Sequence, residues 1–176
     1  MRGKFFICLM IILSLLFSSC VSGENVSADK LMGALVEYFG AELHACRYIY
    51  YKSASEYSRN YLSHSLAGVI YYGERRDHVW ELDIMSDYAV RLADDESGCE
   101  IHIFKVRARS DTDTVEKILR RRVDYLQKRM VYIYTPENYE KYISSAQVHL
   151  IGNYAVLLAT PDNSSALKIL KGMIGA

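Results

Sequence analysis

The sequence predicts an α+β domain: a small antiparallel sheet of two hairpins packed against helices and preceded by an N-terminal signal segment. Three observations carry this. Two pairs of strand-like segments are each joined by a polar turn. A long amphipathic helical pattern separates the pairs. A basic start followed by an apolar run opens the chain. Hairpins divided by a helix give a sheet covered on one face.

Arg2 and Lys4 precede the apolar stretch from Phe5 to Phe17, and Ser18, Ser19 and Cys20 lead into polar Ser22-Gly23-Glu24-Asn25. These are the parts of a secretory signal, and the run is short for a permanent membrane span of about 20 residues. Leu16-Phe17-Ser18-Ser19-Cys20 resembles the lipobox of bacterial lipoproteins, which implies a diacylglycerol thioether on Cys20. Ordinary cleavage after Ser22 or Gly23 is the alternative. The expected division is 1–19 signal, 20–27 linker and 28–176 a single domain, with 28–84 mainly helical and 85–176 holding the sheet.

Ser27-Ala28-Asp29-Lys30 opens a helix in which Leu31, Leu35, Tyr38 and Phe39 recur at helical spacing, and Gly40 closes it. Residues 41–65 are tyrosine-rich and read mostly as helix. Asp87–Ala93 and Cys99–Arg107 read as strands joined by a turn over Asp94–Gly98. Apolar residues occupy both faces of the second, which makes it central.

Capping oxygens at Ser110–Asp113 then start a helix whose Val115, Leu119, Val123, Leu126 and Met130 form one buried stripe. Thr135-Pro136 starts a short helix through about Ile143. Gln147–Ile151 and Tyr154–Thr160 form a second hairpin around Gly152-Asn153. Ala166, Leu167, Ile169, Leu170 and Met173 mark a closing helix.

The 176 residues are 51% hydrophobic and 24% charged with net charge +0, which argues against nucleic acid as a partner. The charge is unevenly spread. Residues 105–129 hold nine basic side chains against four acidic ones, so Arg120, Arg121 and Lys128 are candidate contacts for an anionic ligand or envelope partner. A solvated face held by Glu116/Arg120 and Asp124/Lys128 pairs is the plainer alternative. Arg122 lies beside the buried stripe and needs a carboxylate or carbonyl partner, which suits a structural clamp.

His102 and His149 lie on strands and become neighbours if those strands pair, yet two ligands make no metal site, and no cofactor motif is present. Asp94, Asp95 and Glu96 cluster in a turn, where solvation explains them. Cys46 and Cys99 remain once the signal is removed and Cys20 lipidated; one disulfide or two buried thiols both fit. The 15 Tyr suit either an interface or glycan groove, or the outer shell of a core.

Asp87-Tyr88-Ala89-Val90, Glu100–Val106, Arg122-Val123-Asp124, Tyr134-Thr135-Pro136-Glu137 and Gly152–Leu158 occur in an order that resembles a known family. It is the uncharacterised exported lipoproteins of clostridia and other Firmicutes, catalogued as domain of unknown function DUF4358. The resemblance covers roughly residues 85–172 and implies location and fold, with no catalytic residue to carry over. The reading is therefore an extracytoplasmic protein, lipid-anchored at the outer face of the cell membrane or else secreted, that binds without catalysis. The alternatives are an enzyme whose site is built from dispersed residues such as His102 or His149, and a self-associating envelope protein.

Overall fold

The structure is a computed structural model, and it describes residues 25–43, 46–93, 97–128 and 132–176. The signal segment and Cys20, the carboxylates 94–96 and Met130 lie outside the described residues. Among the described residues no helix is long and apolar enough to cross a membrane.

The chain begins with α1 (Ala28–Phe39), where the Ser27 hydroxyl accepts from the Lys30 amide and Asp87 accepts from the Ala28 amide at 2.7 Å. Two acceptors thus satisfy the helix's free amide ends. A 3-10 turn follows, then strand β1 (Tyr48–Tyr51), a loop, and α2 (His64–Tyr72) capped by Ser63. The short α3 (Glu81–Ile84) leads into β2 (Met85–Leu92) and β3 (Glu100–Val106). The 17-residue α4 (Thr112–Lys128) is next, and α5 (Pro136–Asn138) runs on into a π-helical turn, Tyr139–Ile143. β4 (Gln147–Ile151), β5 (Tyr154–Ala159) and α6 (Asn163–Ile174) complete the order.

The five strands lie in the order β1-β2-β3-β5-β4, and every neighbouring pair is antiparallel. β3 is the central strand, as its two apolar faces require. The β4–β5 turn places Gly152 at φ 60°, a conformation that favours a residue without a side chain.

Two expectations are corrected. The stretch 41–65 is not mostly helical: it holds the edge strand β1 and a loop, with α2 beginning only at His64. Four residues of edge strand carry too short a pattern to read, and their partner β2 is some forty positions away. The outer edge of β1 is covered by Asn60, whose side-chain amide donates to the Ile49 carbonyl at 2.7 Å while its carbonyl accepts from the Tyr51 amide at 3.0 Å.

The sheet is also covered on both faces, not one. Ala89, Ile101, Ile103, Tyr154, Val156 and Leu158 pack beneath Leu31, Leu35, Ala166 and Leu170 of α1 and α6. On the opposite face Val90, Phe104, Ala155 and Leu157 pack beneath Ile70 and Tyr71 of α2 and Val115, Ile118 and Leu119 of α4. Residues directly opposite each other in an antiparallel pair share a face, so the register alone sorts the side chains into these two sets.

Candidate functional site

Glu100 and His102 are alternate residues of β3 and so point to the same face, the one covered by α2 and α4. Arg122 of α4 reaches them. Its Nε donates to Glu100 Oε2 at 2.9 Å, its Nη2 donates to Oε1, and its Nη1 donates to the Ile70 carbonyl at 3.3 Å. This fork matches the planar donor geometry of a guanidinium to both carboxylate oxygens. The carboxylate and carbonyl partners that its place on α4 demanded are both present.

The chain of contacts continues through His102. Its Nε2 lies 3.0 Å from Glu100 Oε2, and its Nδ1 lies 2.7 Å from the Tyr71 hydroxyl. A carboxylate only accepts, so Nε2 carries the proton; Nδ1 then accepts from the Tyr71 O–H. One salt bridge and one neutral imidazole thus join α2, β3 and α4 with no net charge. His102 is wholly buried and Glu100 and Tyr71 nearly so.

Burial pushes the Glu100 carboxyl up, but the Arg122 guanidinium, with hydrogen bonds from His102 and Arg122, outweighs it and holds the group at about 2. Burial lowers His102 below the usual imidazole range; Glu100 opposes that shift and Arg122 adds to it. Burial also keeps the Tyr71 hydroxyl protonated far into alkaline pH. Near neutral pH none of the three changes its proton. A hydroxyl, an imidazole and a carboxylate stand in series here, yet their hydrogen bonds are spent on one another, so the arrangement clamps.

Outside this clamp the same helices make a rim. The Tyr72 ring is flanked by the Arg76 guanidinium at 3.6 Å and the Arg121 guanidinium at 4.4 Å from its centroid, and its hydroxyl donates to buried Glu81. Burial and Glu81 together raise the Tyr72 hydroxyl above its ordinary value. A cavity of about 290 Å³ opens here between the end of α2 and α4, lined by Tyr71, Tyr72, Gly73, Arg121, Asp124, Tyr125 and Lys128. The Arg122 guanidinium sits 5.4 Å from the Tyr125 ring centroid, so the clamp also backs one wall.

The three cations singled out in the sequence do not line one cavity. Arg121 and Lys128, seven residues and about two turns apart, share this cavity. Arg120 points to a separate groove with Val123, Gln127, Ala146 and Val148, and its guanidinium is 2.6 Å from Glu116. Lys128 pairs with Asp124 at 3.0 Å, an exposed contact of small worth.

His102 and His149 are not neighbours. β5 lies between their strands, and His102 opposes Leu157 whereas His149 opposes Val156, so the two rings project from opposite faces. Burial and Lys171 lower His149. No sequence pattern marks the stacking of His64 and His78 at 4.7 Å beside Asp83, whose Oδ2 is 2.9 Å from His78 Nε2. Among the described residues no group of three or more His, Cys, Asp or Glu is arranged to hold a metal ion. The tyrosines divide between both expected fates: Tyr71, Tyr88 and Tyr154 are core, whereas Tyr48, Tyr57 and Tyr132 are exposed.

The sequence singles out His102 as a candidate but offers Glu100 only as a strand residue. The available signal is the alternation of Glu100 and His102 in a mostly apolar central strand, together with an arginine beside a buried stripe. No curated protein and no solved structure matches the chain. Residues 80–160, the stretch that carries β2 to β5, α4 and the Glu100–His102–Arg122 part of the clamp, match the family model described as a domain of unknown function (DUF4358).

Proposed function

We propose that this is an exported protein, anchored to the outer face of the cell membrane through a lipid on Cys20, whose domain binds an anionic envelope partner without catalysis. The observation that carries the binding half is the pairing of Arg121 and Lys128 with Tyr72 and Tyr125 around one cavity. Guanidinium and ammonium groups supply charge-assisted hydrogen bonds to a carboxylate or phosphate, and the tyrosines add apolar body with a polar tip.

The tether half rests on the basic, apolar and small-residue order of the first twenty positions. Its geometry suits the cavity. Asn25 comes five residues after Cys20, and its Oδ1 accepts from Lys105 Nζ at 3.5 Å, while Tyr154 donates to the Val26 carbonyl at 2.5 Å. Five extended residues reach at most about 17 Å. The domain therefore meets its tether beside the end of β3, close to where α4 begins. Lys128 lies sixteen residues along α4, about 24 Å away at 1.5 Å per residue. Arg121 and Lys128 thus lie in the half of α4 remote from the tether.

Two measurements test the two halves. Cys20→Ala is expected to move the chain from the membrane fraction to the medium and to abolish labelling by a lipid precursor; unchanged labelling contradicts the anchor. Arg121→Ala with Lys128→Ala is expected to lower retention on an immobilised phosphodiester wall polymer roughly tenfold or more, since each charge-assisted contact is worth about 1.5–3 kcal/mol. Arg120→Ala, whose side chain faces the other groove, is expected to leave retention unchanged.

A further inference from the structure

Cys46 and Cys99, 53 positions apart in sequence, meet in the core beneath α1. The Cys46 Sγ donates to the Cys99 carbonyl at 3.2 Å. Both residues are almost wholly buried, in the same apolar cluster as Leu43, Leu126 and Ile143. Both are free thiols here.

The placement of Cys99 is fixed from behind. Gly98 holds φ at 72°, and a Cβ there would sit 2.6 Å from Ile143 Cδ1 and 2.8 Å from Tyr134 Cε1. The Cys99 backbone is therefore pressed between the π-helical turn and the segment that carries Cys46. On the other side, the Cys46 amide donates to the Leu43 carbonyl at 3.0 Å, which ties that cysteine to the turn after α1. Two thiols held together on two anchored segments are a pair of fixed geometry.

We propose that Cys46 and Cys99 are a disulfide-forming pair, closed in the exported chain by exchange with a small or protein disulfide. This rests on the export reading for its oxidant, since such disulfides persist outside the cytosol. In the step, one thiolate attacks the oxidant's disulfide to give a mixed disulfide, and the second thiolate displaces the remaining half. One S–S bond forms and one breaks; two electrons pass to the oxidant, and two protons end on its released thiols.

The neighbouring Cys46 sulfur and the burial around it push the Cys99 thiol well above its ordinary value. Both thiols are closed off from an oxidant once the core has formed, so exchange belongs to the folding chain, before α1 docks. The closed loop spans β1, α2 and β2, so the bond constrains a large part of the unfolded chain.

The test uses the full chain, solubilised in detergent, reduced and unfolded in urea, and refolded with a mixture of reduced and oxidised glutathione. After acid quench, denaturation and maleimide alkylation, the expected result is a linked pair of peptides bearing Cys46 and Cys99. Its mass is about 2 Da below that of the dithiol, and neither residue is alkylated. Maleimide on both cysteines, or glutathione left on either, overturns the pair. Cys46→Ser is expected to leave Cys99 alkylated, which shows that the link is specific. The same mapping on protein taken directly from cells separates the two readings. A link formed on refolding but missing in cells keeps the pair and contradicts export; failure in both contradicts the pair itself.

Discussion

The two faces of one sheet are built from the same strands on different terms. The face beneath α1 and α6 is closed by aliphatic and tyrosine side chains, Ile101, Ile103, Val156 and Leu158 among them. The face beneath α2 and α4 holds an ionic group, Glu100 with Arg122, and a neutral His102 hydrogen-bonded to Tyr71. Burial of apolar surface is non-directional, so the first face tolerates small changes of shape. A buried ion pair requires every partner in place, so the second face fixes how α2 sits against α4. The cavity with Arg121 and Lys128 lies on the second face, where relative helix position decides its shape.

The largest effect expected follows from breaking the pair. Arg122→Met leaves the buried Glu100 carboxylate without its counter-charge, and urea unfolding is expected to show a loss of about 3–5 kcal/mol. Pairing it with Glu100→Leu is expected to recover part of that loss, because the buried charge is gone while the His102 Nε2–H still lacks an acceptor. A double variant no more stable than the single one would mean that the pair is not the source of the cost. Tyr71→Phe leaves His102 Nδ1 without its donor and is expected to cost about 1–3 kcal/mol. On the apolar face Ile103→Val removes one methyl group and is expected to cost about 0.5–1.5 kcal/mol by the same measurement.

Acid sharpens the contrast. Glu100 titrates at about 2 in the folded protein against 4.5 ordinarily, so the unfolded chain takes up its proton first and stability is lost as pH falls from 4.5 toward 2. His102 is held below 6.5, so the unfolded chain also protonates there first, and loss begins just under pH 6.5. Both act in the same direction. Thermal melts are expected to fall on acidification, with His102→Gln removing more of the slope between pH 6.5 and 4.5 than His149→Gln, whose ring is only partly buried. Equal slopes would place the acid response outside the clamp.

The sequence made the second half of the chain legible because its periodicities are local. Apolar residues on both faces of Glu100–Val106 mark a central strand, the Val115–Leu126 stripe marks the inner face of α4, and Gly152-Asn153 marks a turn. α5 starts as read, with the Thr135 hydroxyl accepting from the Asn138 amide. The region 41–65 was misread because β1 draws its stability from pairing with Tyr48↔Leu92 through Tyr51↔Ala89, and no local pattern reports a distant partner. For the site, Arg122 advertised a missing partner, but its identity depended on which strand face α4 covers. Lys128, Arg121 and Arg120 look alike in sequence; a rotation of about 100° per residue sends Arg120 to another groove.

We propose that the cavity between α2 and α4, held in shape by the clamp, is where the domain takes hold of an anionic partner. Retention of the full-length protein on an immobilised phosphodiester polymer at physiological salt, compared among the native chain, Arg121→Ala/Lys128→Ala and Arg120→Ala, tests it most directly. The double variant alone is expected to lose roughly tenfold or more, with its thermal melt unchanged. Equal retention by all three proteins, or an equal loss from Arg120→Ala, would contradict it.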